Sequence, residues 1–384
     1  MMISEIISPT SRKATRRLAG SGVVPPAPLI SVCIANHNYG RFLSAAIDSA
    51  LGQTYPNVEV VVVDDGSTDE SRQVIAGYGD RICPVLQERA GQAAAGWAAV
   101  QASRGDVVVF LDADDLLDPE ICSRVVDVFE REPDTVLVQW RLRTIDAESR
   151  PLGQLLPPRR VLLPSGDLSD HVLRVRNWHY QLTTGVAYAS WVVRMLLPAR
   201  LPEGEFHALD HWLNEQAPLL GRIGSIEVVG AAHRLHGANF SAFGSSAEWP
   251  RRMIRLTLNT HEQVRALAEE LGRPCAEDPL ALRDPALLGW RLWSLTLDPE
   301  NHPFPADRRP RLAAEGVVAS FGHPHLPWRN RLKRAAWFLA VGALPRRVAE
   351  PVIRRYVPDG PLSVAPALRA GPGRVALETA RPER

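Results

Sequence analysis

Lysine is almost missing from this chain of 384 residues: Lys13 and Lys333 are the only two, so 42 of the 44 basic side chains are arginine. We read this first as a coding bias, yet a mechanism that needs a lysine in the main part of the chain has none to use. Net charge is lacking too, at +1, so no overall field draws nucleic acid or an anionic membrane, and any such binding must be local. The four cysteines, Cys33, Cys83, Cys122 and Cys275, form no Cys-x-x-Cys pair and no Cys/His group at zinc-ligand spacing, which fits a reduced, cytoplasmic setting. No stretch reaches the roughly 18–20 apolar residues that span a bilayer; the best candidate, Ala335 to Leu344, makes about 15 Å of helix, so the chain is expected to be soluble or peripheral. Residues 1–28 carry Arg12, Lys13, Arg16 and Arg17 without a following apolar segment, and read as a flexible tail rather than a secretory leader. No strand is followed by Gly-x-Gly-x-x-Gly, which argues against a dinucleotide oxidoreductase.

What is present is a hydrophobic share of 45%, ample for a core, in a length that suggests about two domains at ~150 residues each. From Leu29 onward short β-branched runs alternate with helical patterns, which predicts an α/β fold with an open, mostly parallel sheet flanked by helices. Strands are expected at Leu29–Ala35, Val58–Val63, Arg81–Leu86, Asp106–Leu111 and Thr135–Leu142, with helices near Arg41–Gln53, Glu70–Gly77, Gln92–Ala102 and Pro119–Arg131. Five prolines and glycines between Arg150 and Pro164 predict a mobile break in the pattern. Beyond it, Gly166–Arg176 and Phe206–Leu220 look helical and Ile226–Ala232 looks like a returning strand. A domain boundary is expected near 245, then a helical C-terminal region over 246–356 and a disordered tail over 357–384.

In open α/β sheets ligands bind beyond the carboxyl ends of the strands, and two acidic clusters fall there. Asp64-Asp65-Gly66-Ser67-Thr68-Asp69 follows the run Val58–Val63. Ser67 and Thr68 suit the start of the next helix, whereas two aspartates at a strand tip offer acceptors to a base or ribose. Asp112-Ala113-Asp114-Asp115 follows the run Val107–Leu111. Like charges ~4 Å apart cost about 4 kcal/mol at an effective dielectric of ~20, so a cation would relieve this cluster. Asp112 and Asp114 can both point at one hard ion, Mg²⁺ or Mn²⁺, that keeps sites open for phosphate oxygens, while Asp115 suits a helix start.

The order Ser31-Val32-Cys33-Ile34-Ala35-Asn36-His37-Asn38, then Val62-Val63-Asp64-Asp65-Gly66-Ser67, Gly91-Gln92-Ala93-Ala94-Ala95, and Arg104-Gly105-Asp106 leading into Asp112-Ala113-Asp114-Asp115, resembles the family 2 glycosyltransferases of GT-A fold over residues 29–245. The resemblance implies an inverting transfer from a nucleotide-diphosphate sugar, a UDP-sugar first among them, to a hydroxyl on a glycan or lipid-linked acceptor in cell-surface polysaccharide or glycolipid synthesis. It implies that Asp65 meets the nucleotide base, Asp112 lies near ribose and metal, and Asp114 binds the divalent Mn or Mg. Asn36, Asn38, Asp64, Gln92, Ala113 and Thr184 join the donor-binding set, with Thr183-Thr184-Gly185 as the floor below the sugar. His236, in His236-Gly237-Ala238-Asn239, resembles a stretch close to the diphosphate and is carried as a donor and metal contact; His233 reads as structural. Asp210, within Phe206-His207-Ala208-Leu209-Asp210-His211-Trp212, matches the acidic motif that supplies the catalytic base, with Glu205 next in line.

The sequence departs from the family pattern in several places. Ala35 and His37 stand where Pro and Tyr are common, Gly96-Trp97 replaces an Arg-Asn or Leu-Asn pair, and Leu209 stands where an acidic residue is common. Trp97 either packs in the core or shapes the donor pocket. Basic residues beside Trp and Phe over 328–356 suit a peripheral contact with an anionic membrane at its inner face, against a plain helix docked on its own domain. Two other readings stay open: a nucleotide-sugar-binding protein without transferase activity, and a haloacid dehalogenase-like phosphatase. The second lacks a lysine to steady a phosphoaspartate and has Leu116 where Thr or Val is usual.

Overall fold

The structure is a computed structural model that describes residues 22–159, 161–175, 178, 182–197, 209–236, 248–273, 275, 284–322 and 328–355. Residues 1–21 of the expected tail over 1–28 and the expected tail over 357–384 therefore lie outside the described residues, as do Glu205 and the segment 206–208; within 22–28, Val24 is buried, the Ala27 N–H donates to Glu130 and the Pro28 carbonyl accepts from the Tyr55 hydroxyl. The chain divides into two compact units, one drawn from Met1–Arg234 and Leu258–Leu282, the other from Leu235–Thr257 and Arg283–Arg384.

The first unit is built on nine strands among the described residues: β1 (Ile30–Asn36), β2 (Val58–Asp65), β3 (Cys83–Gln87), β4 (Val107–Asp112), β5 (Leu116–Leu117), β6 (Thr135–Ile145), β7 (Pro151–Leu156), β8 (Val186–Ala189) and β9 (Arg222–Arg234). They form one sheet in the order β3-β2-β1-β4-β8-β6-β9-β5, with β7 paired to β6. The strands β3, β2, β1 and β4 are parallel, β9 runs parallel to β6, and β8, β5 and β7 pair antiparallel, so most paired residues lie in parallel ladders. Val32, Ile34, Val60–Val63 and Val107–Leu111 are buried on both faces, as valine-rich parallel strands require.

Helices α1 (Gly40–Leu51), α2 (Ser71–Tyr78), α3 (Gln92–Ala102) and α4 (Ile121–Arg131) cover the sheet. In α1, Phe42, Leu43, Ala46, Ile47 and Ala50 turn inward at helical spacing; in α4, Ile121, Cys122, Val125, Val126 and Phe129 do. Short helices α5 (Ser169–Val175), α6 (Ser190–Leu196) and α7 (Leu209–Gln216) follow, and α8 (Trp249–Glu270) begins the helical C-terminal region. The second unit contains α9 (Pro285–Leu297), α10 (Arg309–Phe321), α11 (Trp328–Ala343) and α12 (Arg346–Arg355).

Three expectations are corrected. The Pro-rich stretch after Arg150 contains a strand, because β7 pairs only with β6 and Pro151 at its first position need not donate to a second neighbour. Ser67 and Thr68 do not start a helix; α2 begins at Ser71, whose main-chain N–H is taken by Asp69. Asp115 precedes a strand, not a helix, since Leu116–Leu117 pair with β9.

Candidate active site

Parallel register brings the chemistry together. Asn36 pairs with Asp64 across β1 and β2, and Ala35 with Asp112 across β1 and β4, so Asn36, Asp64, Asp65 and Asp112 share the carboxyl edge of the sheet. There the loops knit to one another. Asn36 Nδ2 donates to Asp64 Oδ1 and to Ser67 Oγ, both at 3.2 Å. The Asn38 N–H donates to Ser67 Oγ at 3.0 Å, and Asn38 Oδ1 accepts from the Thr68 N–H at 2.8 Å. Asn38 holds φ at 60°, a left-handed turn that asparagine tolerates better than most residues. Asp64 is buried, which would raise its pKa, but donors from Ser67, Arg72 and Asn36 outweigh burial and lower it.

Asp65 anchors the next loop: Oδ1 accepts from Gln87 Nε2 and the Ala90 N–H, each at 2.7 Å, and Oδ2 from the Gly91 N–H at 2.8 Å. Gly66, at φ 69°, allows this close approach, because a Cβ there would stand 2.7 Å from the Arg89 nitrogen. Gln92, one residue on, is exposed at the start of α3.

The second cluster sits at the end of β4. Ala113 and Asp114 are buried, Asp112 half-buried and Asp115 fully buried. Burial first, then the like charges of Asp115, Asp114 and Asp210, hold the Asp112 carboxyl well above the usual range, with His233 opposing. Asp115 is a hub that sequence reading assigned elsewhere: Oδ2 accepts from Thr184 Oγ1 at 2.7 Å and meets His233 Nδ1 at 3.1 Å, and Oδ1 accepts from the Arg234 N–H at 2.8 Å. Burial alone would lower the His233 pKa; the carboxylates of Asp115, Asp114 and Asp112 reverse that and raise it to about 9. Arg234 is buried, with Nε donating to the Asp114 carbonyl at 2.6 Å, and its guanidinium lies 4.8 Å from the centre of the Phe42 ring. His233 and Arg234, two basic residues directly after the apolar run Val228–Ala232, were the signal for this network, since a buried arginine needs acceptors, here the carbonyls of Asp114, Asp146 and Ala147 and the Ser149 hydroxyl. Tyr39, ahead of α1, feels the same carboxylates: burial and then Asp114, Asp112 and Asp115 raise its pKa to about 12.

The short helical turn Thr183–Gly185 ties this cluster to α7. Thr184 Oγ1 accepts from the Asp112 N–H at 3.2 Å, while Thr183 Oγ1 donates to Asp210 Oδ2 at 3.2 Å. Asp210, in the first turn of α7, also accepts from the His211 N–H at 2.8 Å, and burial raises its pKa above the usual carboxylate range. Its neighbour Leu209 lies against Gly96 of α3, where a Cβ would stand 2.6 Å from Leu209 Cδ2. The two departures from the family pattern are thus in contact, and Trp97 packs against the core. His236 belongs to the second unit, and 237–239 lie outside the described residues.

Asp112 and Asp114 fit a divalent cation, because a positive charge would offset both the burial and the like-charge repulsion that raise the Asp112 pKa. A hard cation held by these two carboxylates would leave positions for phosphate oxygens.

Comparison with known proteins agrees with this architecture. Residues 31–196 match the Glycosyl transferase family 2. The chain is 38% identical over 223 residues to an uncharacterized glycosyltransferase of Nostoc sp., a match covering 57% of this chain and 68% of that one. It is 32% identical over 144 residues to an uncharacterized glycosyltransferase of Rickettsia prowazekii, covering 37% of this chain and 45% of that one. The crystal structure of S. aureus TarS 1-349 in complex with UDP-GlcNAc shares the fold, with a TM-score of 0.50 at 15% identity over 85% of this chain and 91% of that chain. The chain belongs to glycosyltransferase family 2, and its fold is GT-A. That membership leaves the phosphatase alternative without support.

Proposed function

We propose that the protein moves a sugar, with inversion, from a nucleotide-diphosphate donor, a UDP-sugar first, to a hydroxyl of a glycan or lipid-linked acceptor in building a cell-surface polysaccharide or glycolipid. The observation that carries this is geometric. One short turn, Thr183–Gly185, holds both acids: Thr184 Oγ1 accepts from the Asp112 N–H and Thr183 Oγ1 donates to Asp210 Oδ2, each at 3.2 Å, which supports one site for the donor-side and acceptor-side acids.

In this reading the carboxyl edge of β1, β2 and β4 receives the donor. Asp65 fixes the Gln87–Gly91 loop and meets the base, Asn36 and Asn38 hold the Asp64–Thr68 loop in shape, and Asp112 and Ala113 line the ribose and diphosphate. Thr184 keeps the Asp112 main chain and the Asp115 carboxyl in place below the sugar. Asp112 and Asp114 would hold Mn²⁺ or Mg²⁺; such an ion would supply positive charge to the departing diphosphate. Asp210, aimed by Thr183, takes the proton of the acceptor hydroxyl as that oxygen bonds to the anomeric carbon and the bond to the diphosphate breaks. Burial raises its pKa above the ordinary carboxylate range, which makes it a stronger base than a solvated aspartate.

The test is to incubate the full chain with a panel of nucleotide-sugars and to follow nucleoside diphosphate release with Mn²⁺, with Mg²⁺ and with chelator. Cation-dependent release from one donor supports the reading. Tight donor binding with no release under any condition would favour the binding protein without transferase activity.

A further inference from the structure

The second unit carries a surface that the transfer reaction does not use. Helix α11 is divided lengthwise. Ala335, Trp337, Phe338 and Val341 are buried, and Gly316 of α10 lets the Phe338 ring approach so closely that a Cβ there would stand 2.1 Å from it. The opposite face is apolar as well. Trp328 is 64% exposed, Leu332 48% and Leu339 57%, at positions i, i+4 and i+11 of one helix face, with Ala336 and Ala343 exposed between and beyond them. Arg329 and Lys333, each one residue further round, flank this stripe. On α10, Val318 and Phe321 are also about half exposed, as is Val348 beside Arg346 and Arg347 on α12.

Water alone is a poor partner for such a surface, and its charge says what kind of partner fits. From Trp328 to Ile353 the sequence carries Arg329, Arg331, Lys333, Arg334, Arg346 and Arg347 against the single acid Glu350. A basic helix with outward Trp and Leu is the pattern of an interfacial helix on anionic lipid. Among the described residues no helix is long and apolar enough to cross a membrane, so α11 would lie in the plane of the interface.

We propose that the second unit docks on an anionic bilayer through the outward face of α11, with Trp328, Leu332 and Leu339 entering the headgroup boundary and Arg329 and Lys333 meeting lipid phosphates. This stands apart from the transferase reading and survives its failure. It also narrows the surface expected from sequence. Trp337 and Phe338, the most apolar side chains of the segment, face inward and take no part, and Pro345 separates α11 from α12.

The test uses the full chain and co-sedimentation with vesicles of phosphatidylglycerol or of phosphatidylcholine. Binding to the first and not the second is expected, falling at least tenfold between 0.1 M and 1 M salt as the Debye length shrinks from ~10 Å to ~3 Å. The double variant L332E/L339E, at exposed positions, should abolish binding with thermal unfolding unchanged. R329E/K333E should weaken binding about 30-fold or more, from the worth of two basic residues near an anionic surface. Equal binding to both vesicle types, or full binding by L332E/L339E, would overturn the proposal. So would absence of vesicle binding together with a concentration-dependent dimer that L332E/L339E dissolves, which would assign the face to a second copy of the chain.

Discussion

Gly96 and Leu209 are complementary: the missing side chain of one is filled by the Cδ2 of the other, which would come 2.6 Å from any Cβ at position 96. Leu209 immediately precedes Asp210, so this contact fixes the first turn of α7 against α3. Replacing Gly by Ala inside a helix ordinarily gains up to about 1 kcal/mol. Here overpacking of about 1–3 kcal/mol should cancel or reverse the gain. Gly96→Ala is therefore expected to lower or leave unchanged the melting temperature and to reduce turnover several-fold, and Gly96→Ala/Leu209→Ala to recover part of both. A clear rise in melting temperature for Gly96→Ala alone would show that the contact imposes nothing.

Asp210→Asn keeps size and polarity while removing the base. Turnover should fall roughly 10²–10⁴-fold with donor affinity retained. Loss of donor binding, or activity close to wild type, would make Asp210 structural.

Burial raises the Asp210 pKa, while bonds from the His211 N–H and Thr183 hydroxyl pull it down. A base must be ionised, so the acid limb of the rate profile should lie above the ordinary carboxylate range, with rate rising as pH increases through it. Thr183→Val removes one donor to the ionised form and should move that limb to higher pH. A limb that stays in place would separate Thr183 from the titrating group.

The His233 pKa is raised to about 9 against an ordinary value of 6.5. Its imidazolium is favoured in the folded state, so the stability it contributes is present below pH 6.5 and lost as pH rises through about 9. That loss is on the order of 2 kcal/mol after allowance for coupling with the acidic cluster. Denaturant melts from pH 6 to pH 9.5 should show it in the wild type and not in His233→Gln.

How far this was legible depended on range. The runs at Val58–Val63 and Val107–Leu111 predicted buried parallel strands because both faces of each are apolar, and the acids after them fell at one sheet edge because parallel register aligns strand ends. Asp115 was misjudged as a helix start, and its ties to His233 and Arg234 were not legible, because these partners lie more than a hundred residues away and no local pattern pairs β5 with β9. The four-residue β8 was missed for a related reason: Val186-Ala187-Tyr188-Ala189 is too short for a period, and only its place between β4 and β6 makes it a strand. The Gly96–Leu209 contact was visible only as two separate departures until α3 and α7 were packed together.

Asp114→Ala removes one carboxylate from a crowded cluster, so the fold should survive with unchanged or slightly higher melting temperature, while cation-dependent donor binding disappears. A variant that binds donor as well with Mn²⁺ as without it, yet turns over normally, would place the cation elsewhere.

In the proposed mechanism the acids at the tip of β4 and Asp210 on α7 serve one transfer reaction. The most direct measurement is calorimetric binding and nucleoside diphosphate release, side by side, for wild type, Asp114→Ala and Asp210→Asn against the donor found in the nucleotide-sugar panel with Mn²⁺. The predicted result is that Asp114→Ala loses binding and release together, while Asp210→Asn binds normally and releases at least a hundredfold more slowly. Wild-type release from Asp210→Asn, or unaltered Mn²⁺-dependent binding by Asp114→Ala, would contradict it.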